Sequence, residues 1–186
     1  LEVLEKMDLI SYICPINDKK NKKKSGYVLT DNAVYFYYRY IYHNLSIKNI
    51  LNNEMFYDKY INDDFLNVVV PKTFEKISMQ YLIRKNKKGL INPIIEDIGT
   101  YWYDNPKERK NGQFDLVTKS KDGYIVYEVK FTNSKIDNHI INEEILQVAK
   151  TNLNPINYGF ISKTGFNITK DNKYILISLD DIYEEI

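Results

Sequence analysis

The sequence predicts an α/β domain in which helices flank a central sheet, and three observations support this class. Apolar residues recur at helical spacing over about 72–85, form strand-like segments between 94 and 131, and return to helical spacing over about 142–152. Two further short apolar segments, 157–162 and 174–179, then end the pattern. Helices that alternate with strands in this way cover a sheet on its faces. The predicted element order is therefore αβββαβ, followed by one more strand.

The composition is that of a chain with enough apolar residues for a core. Its 186 residues are 44% hydrophobic, which suits one ordinary domain with or without a small extra module. The single cysteine, Cys14, excludes an internal disulfide and is typical of a reducing compartment, so we expect a cytoplasmic protein. No apolar run approaches the roughly 20 residues of a spanning helix, so no membrane partner is expected. Because Leu1 replaces an initiator Met and opens directly into a helical pattern, we expect a piece of a longer polypeptide.

Positive charge is clustered although the net charge is only +1. The net charge therefore argues against a uniformly basic surface for nucleic acid, and local basic patches matter more than the sum. One cluster spans residues 84–88, and the other comprises five lysines, Lys19, Lys20, Lys22, Lys23 and Lys24.

Residues 1–30 are predicted to be the end of a winged-helix module. The end of a helix is followed by two strand-like segments, 11–15 and 25–29, and the five lysines lie between them. A wing tip of this kind would contact the phosphates of DNA with a salt-dependent affinity. The alternative is a charged hairpin tip that is only solvated.

Residues 31–62 are predicted to form a helical connector. Thr30 and Asp31 can cap a helix over 32–44, and its aromatic residues lie on nearly every side. A helix that is apolar all round is expected to be buried between other elements, with stacking on nucleic-acid bases as the alternative. Short helices are expected over 46–62.

Residues 63–186 are predicted to form the sheet-centred domain. Its first helix begins near Asn62, is expected to be interrupted by Pro71, and resumes as an amphipathic helix that contains Glu75. Strands are expected over 94–103, 113–118 and 124–131. The turn-like segment 119–123 joins the last two of these strands into a hairpin.

Charged residues within these strands identify a candidate site. Alternation along the strand 124–131 puts Val126, Glu128 and Lys130 on one face, and Asp115 lies on the strand before it. A single Glu-x-Lys pair is usually a solvated ion pair. Charges in the middle of a sheet, however, destabilise it unless they pair or bind a metal, and the hairpin brings Asp115 beside Glu128. Glu75 on the preceding helix and Gln147 on the following helix complete the set.

The order of these residues resembles the PD-(D/E)XK nuclease superfamily, which includes restriction and RecB-type nucleases. A series of short motifs spans nearly the whole chain: Tyr27–Asn32 running into the aromatic segment 36–40, Phe74-Glu75, Ile98-Gly99-x-x-Trp102, Phe114–Val117 and Glu128-Val-Lys130. This series carries a second resemblance, to the C-terminal region of archaeal and bacterial AAA+ ATPases, where a winged helix precedes a nuclease-like domain of unknown function. This sequence departs from the pattern at Gln113, where an acidic residue is usual.

The resemblance implies a restriction-endonuclease-like fold and metal-assisted hydrolysis of a phosphodiester. Asp115 and Glu128 would hold Mg²⁺ or Mn²⁺ through carboxylate oxygens, and Glu75 would act directly or through water. Lys130 would orient the attacking water or neutralise developing charge, and Gln147 would position the nucleophile. The expected partners are DNA and the N-terminal ATPase part of the same polypeptide.

Three functions remain open from the sequence. The chain is a Mg²⁺-dependent DNA nuclease attached to an ATPase, a nuclease-like domain without turnover that holds DNA or protein, or a structural domain that docks on the ATPase. No Gly-x-x-x-x-Gly-Lys-Ser/Thr phosphate loop occurs in the sequence, so this chain is not itself the ATPase.

Overall fold

The computed structural model describes residues 1–105, 110–168 and 173–184. The chain forms two compact units: Leu1–Cys14 with Lys20–Val70, and Pro15–Lys19 with Pro71–Ile186. The predicted segment boundaries at residues 30 and 62 stay predictions. Among the described residues, no helix combines the length and apolar character needed to cross a membrane.

The first unit begins with a helix and a hairpin, as the sequence predicts. Helix α1 (Glu2–Lys6) precedes the antiparallel strands β1 (Ile10–Ile13) and β2 (Gly26–Leu29). Short helical elements follow. They are α2 (Asn32–Phe36), a π-helical turn (Tyr37–Ile41), a 3₁₀ turn (Tyr42–Asn44), α3 (Leu45–Lys48), α4 (Asn53–Tyr60), α5 (Asn62–Asp64) and a second π-helical turn (Phe65–Val69). Asp31 caps α2, since its Oδ1 accepts a hydrogen bond of 2.7 Å from the Val34 amide.

The aromatic segment after α2 is not buried all round, so that prediction was wrong. Tyr40 is 3% exposed and packs with Phe56 and Ile61 in the core of this unit, whereas Tyr38 and Tyr42 are about half exposed. The exposed rings contact each other, with 5.2 Å between the centroids of Tyr38 and Tyr42. A unit this small covers only one side of the segment, and neighbouring rings shield one another on the other side.

Pro71 does not interrupt the helical structure, which is a second correction. Helical residues continue from Asn62 through the π turn Phe65–Val69 into α6 (Val70–Lys87). Proline lacks the amide that an α-helical carbonyl would accept, and its ring crowds the preceding turn. The wider π turn directly before it accommodates both effects, because its hydrogen bonds skip one more residue.

The second unit contains a five-stranded mixed sheet flanked by helices, in the element order that the sequence predicts. After α6 come β3 (Asp97–Asn105), β4 (Lys110–Ser120), β5 (Gly123–Lys130), β6 (Ile136–Asp137), α7 (Asn138–Ala149), β7 (Asn157–Ser162), β8 (Phe166–Asn167), β9 (Ile175–Ser178) and α8 (Leu179–Tyr183). The sheet order is β3-β4-β5-β7-β9, with antiparallel pairing across the first three strands and parallel pairing after β5.

Several element boundaries differ from the predicted ones for local reasons. The strand expected from residue 94 begins at Asp97, because the Asn86 side chain makes two hydrogen bonds of 2.9 Å to the Ile95 backbone. Helix α7 begins at Asn138 rather than near 142, because Asp137 accepts hydrogen bonds from two amides of its first turn. Ser178 caps α8, a short helix that the sequence analysis did not predict. The small parallel pair β6–β8 was also missed.

Apolar side chains pack on both faces of the sheet. On one face, Phe74 and Leu82 of α6 pack with Leu116 of β4 and Tyr127 of β5. On the other face, the core groups Val148 of α7 with residues of β4 and β5, namely Phe114, Val117 and Val126. Successive residues of β5 thus belong to opposite faces, as its alternation predicts. Glu128 and Lys130 follow Val126 on the face that α7 covers.

Candidate functional site

A polar cavity of about 330 Å³ lies where α6, β4, β5 and α7 meet. It brings together all five residues that were predicted from the strands and their flanking helices. Its lining residues are Glu75, Gln113, Phe114, Asp115, Tyr127, Glu128, Val129, Lys130, Glu144 and Gln147.

Strand register explains why Asp115 and Glu128 face this cavity. The last paired residues of β4 and β5 are Leu116 and Tyr127, so Asp115 and Glu128 occupy the next positions across, where the ladder has ended. Strands that separate at this point leave room between them for solvent or a ligand. The two carboxylates are therefore neighbours at the open end of the hairpin.

A β-bulge in β4 places Asp115. Gly99 and Tyr101 of β3 are two residues apart, but their partners in β4, Val117 and Phe114, are three apart. Phe114 and Val117 consequently pack in the same core cluster, which regular alternation would forbid. Bulges of this kind re-aim side chains and occur next to active sites. The sequence could not reveal the bulge, because it depends on the pairing with β3.

Each of the two strand carboxylates has a donor from its own strand. The Gln113 Nε2 donates a hydrogen bond of 2.8 Å to Asp115 Oδ1. Lys130 Nζ forms an ion pair with Glu128 Oε1. The Lys130 and Glu128 side chains are 37% and 23% exposed, so this pair is partly shielded from water. Burial disfavours the charged Lys130, but the hydrogen bond and charge of Glu128 outweigh it and raise the lysine pKa.

Two helix carboxyl groups in the cavity have raised pKa values. Burial raises the pKa of Glu75, and the negative charge of Asp115 raises it further against a smaller opposing effect of Lys72. Burial also raises the pKa of Glu144 to about 7, and the charge of Glu128 is the next cause. Four carboxyl groups thus share one cavity with a single lysine among its lining residues, so the cavity favours an added proton or cation.

Glu144 is the acidic lining residue that sequence reasoning missed. It lies three residues before Gln147 on α7, so the two side chains share a helix face. That spacing was the available signal once Gln147 had been selected.

The lysines at the hairpin tip are not all alike. Lys19 Nζ forms an ion pair of 2.6 Å with Asp97 of β3, and the segment before it is bound to that strand by a 2.8 Å hydrogen bond from the Ile16 amide to Thr100. Lys20, Lys22 and Lys23 are exposed, and Lys24 is half-buried. Their role in binding nucleic acid stays a prediction.

Asp115 and Glu128 are the residues of the cavity that could hold a divalent cation. Within the described residues, no group of three His, Cys, Asp or Glu side chains is close enough to hold a metal by itself. Mg²⁺ commonly takes one or two protein carboxylates and keeps several waters, a number of carboxylates that Asp115 and Glu128 could supply. The raised pKa values of Glu75 and Glu144 also fit a cation, because a positive charge would relieve the repulsion among the carboxylates.

The fold and the cavity define a mixed α/β domain with an acidic, lysine-containing site at the end of a β-hairpin. Comparison with known proteins gives its family: residues 37–143 match a family described as archaeal and bacterial proteins of unknown function, DUF234, and the chain belongs to it.

One relative and one solved structure add to this comparison. An uncharacterized protein of Methanocaldococcus jannaschii is 31% identical over 103 residues, which is 55% of this chain and 23% of the relative. The chain therefore spans about a quarter of that relative's length. A DNA-bound ATP-dependent Type ISP restriction-modification enzyme, LlaBIII, is 22% identical with a TM-score of 0.42, covering 66% of this chain and 8% of the enzyme.

Proposed function

We propose that the second unit is a Mg²⁺- or Mn²⁺-dependent nuclease domain that hydrolyses DNA phosphodiesters, and that it has a restriction-endonuclease-like fold. One observation carries the proposal. Asp115, Glu128 and Lys130 from a single hairpin line one cavity together with Glu75 and Gln147 from two helices. Apolar packing alone does not require three acids and a lysine at such positions, since the partly buried Glu75, Glu128 and Lys130 lose hydration there.

The strand residues would bind the cation and stabilise charge. Asp115, Glu128 and the Val129 carbonyl supply hard oxygen ligands, which Mg²⁺ and Mn²⁺ prefer. When bound, the metal polarises the phosphate and lowers the pKa of a coordinated water. Lys130, already held beside the site by Glu128, supplies positive charge for the phosphate oxygens as negative charge develops on them.

The helix residues would orient water. Gln147 can donate and accept hydrogen bonds through its amide and so position the attacking water. Glu75, whose pKa is raised by burial and by Asp115, can accept a proton from it or contact the cation through water.

An ATPase part of the same polypeptide would give the domain its context. The similarity to the C-terminal region of AAA+ ATPases supports an arrangement in which a preceding ATPase part regulates a C-terminal DNA-acting domain. The wing lysines would then add affinity for the DNA backbone.

The second candidate is a nuclease-like domain without turnover that binds DNA or a protein partner. The observation that favours it is the pairing inside the cavity: Lys130 is bound to Glu128, and Gln113 to Asp115. Donors and acceptors that satisfy each other reduce the need for a metal. A purely structural role, docking on the ATPase part, belongs to the same class.

Cleavage by the intact polypeptide tests the proposal. We expect single- or double-stranded DNA to be cut with Mg²⁺ or Mn²⁺, and Asp115→Ala and Lys130→Ala each to lower the rate by about a hundredfold or more. Lys121→Ala, at an exposed turn position outside the cavity, should retain full activity. Absence of cleavage of DNA or RNA by the wild type with either ion would reject the nuclease and leave the binding module.

A further inference from the structure

The two strand carboxylates of the cavity are restrained differently. Glu128 carries the Lys130 ion pair on Oε1, and its charge acts on the neighbouring Glu144 carboxyl group. Asp115 is exposed, and Gln113 Nε2 holds its Oδ1 at 2.8 Å. Asp115, which lines the cavity, therefore has one oxygen held by an amide, and Oδ2 is the oxygen left to bind a cation.

An amide donor at position 113 has two physical effects. A hydrogen bond fixes the rotation of the Asp115 carboxylate and engages one oxygen, so this side chain is set to bind a cation through a single oxygen. An acidic side chain at 113 would instead add a fifth carboxyl group to the cavity and could not donate when ionised. Gln113 thus limits both the negative charge and the number of oxygen ligands.

Divalent cations differ in how many oxygen ligands they need, so a limit on those ligands affects them differently. Mg²⁺ takes six ligands at short distances and is satisfied by one or two protein carboxylates plus water, and Mn²⁺ suits the same octahedral oxygen ligands. Ca²⁺ takes six to eight oxygens at longer distances and gains from carboxylates that bind through both oxygens. A carboxylate restricted to one oxygen therefore favours the smaller ions.

We propose that Gln113 is a positioning residue that restricts Asp115 to single-oxygen ligation and makes the cavity select Mg²⁺ or Mn²⁺ over Ca²⁺. The inference rests on the cation binding in the proposed function, but not on turnover.

Direct binding measurements test it without any cleavage assay. Mn²⁺ affinity is measured on the intact chain by electron paramagnetic resonance of the free ion, and Ca²⁺ affinity by competition. In Gln113→Ala and in Gln113→Met, which keeps the side-chain length, we expect Mn²⁺ affinity to fall about tenfold, the usual effect of losing a partner of a metal ligand. Ca²⁺ affinity should stay constant or rise, so the Mn²⁺ preference should fall about tenfold or more.

Asn111→Ala is the matched control, because Asn111 is another exposed amide two residues earlier on β4 and does not line the cavity. It should keep the wild-type preference. Equal losses for both ions at Gln113 would indicate a general structural effect and overturn the inference. An unchanged preference, with Mn²⁺ bound by the wild type, would overturn the inference alone. A wild type that binds neither ion would overturn the metal-dependent function as well.

Discussion

At the scale of single residues, crowding of carboxyl groups is the main electrostatic property of the cavity. Glu144 shows it best, because burial and the charge of Glu128 raise its pKa to about 7 in the folded chain. In the unfolded chain its pKa returns to the ordinary value of about 4.3. Between these two pH values the folded protein binds one proton more than the unfolded protein. The contribution of Glu144 to the free energy of unfolding therefore falls as the pH rises across this window.

Glu144→Gln should remove this dependence. The amide is neutral at every pH, so we expect the variant to be more stable than wild type above pH 7 and equal to it near pH 4. At pH 8 we expect the variant to gain about 1 kcal/mol in the free energy of unfolding, which corresponds to a rise of about 3 °C in Tm for a domain of this size. Thermal unfolding of both proteins from pH 4 to pH 8 measures this difference. Glu143→Gln removes the same charge from the neighbouring exposed position and should keep the wild-type fall in stability, apart from the small contribution of its exposed contact with His139.

At the scale of elements, close approach of strands β5 and β7 requires a glycine. A Cβ atom at Gly159 would lie 2.2 Å from the Tyr127 ring, which is buried in the core between the sheet and α6. Gly159→Ala should destabilise the sheet by about 1–3 kcal/mol, the usual range for overpacking. Gly26→Ala on β2 meets nothing within 4 Å and is the control. Chemical denaturation that ranked the two variants equally would contradict this account of the packing.

The β1–β2 hairpin leads to a separate prediction about DNA. Since Lys19 is paired with Asp97, exposed Lys20, Lys22 and Lys23 are the better candidates for phosphate contacts. Replacing these three by Ser in the intact protein should weaken DNA binding and reduce the salt slope of log K by about 2 to 3. Lys19→Ser should change the slope less. Identical slopes for wild type and the triple variant would mean that the tip is only solvated.

Elements with a local sequence pattern were predictable from the sequence, whereas features that depend on a neighbouring strand or helix were not. The alternation around Glu128 and the helical spacing around Phe74 identified β5 and α6, because burial acts on each element separately. The continuation of the helix past Pro71 depends on a π turn that no local rule foresees. The place of Asp115 depends on β3, and that of Glu144 on the face that α7 presents to the sheet.

At the scale of the whole molecule, cation binding should appear as stability. A cation that binds only the folded chain adds about 2.7 kcal/mol at 100 times its Kd. We therefore expect Mn²⁺ to raise the Tm of the wild type and to leave that of Asp115→Ala unchanged. Without Mn²⁺ the variant should equal or exceed the wild type, because Asp115 raises the pKa of Glu75 through repulsion. An equal rise in the Tm of both proteins on addition of Mn²⁺ would mean that the cation binds at a site without Asp115.

The bulge in β4 has a consequence for how the site relates to the core. Phe114 packs on one face of the sheet, Leu116 on the other face, and Val117 on the first face again. If Asp115 is left out of the count, these three apolar residues alternate between the two faces as they would in a regular strand. Asp115 is thus a supernumerary residue, inserted into a pattern that the core completes without it. A chain lacking only this residue should still fold with the same inward-facing side chains, and would lose the open carboxylate. Deletion or insertion of this one codon should therefore remove or restore the site without changing the fold.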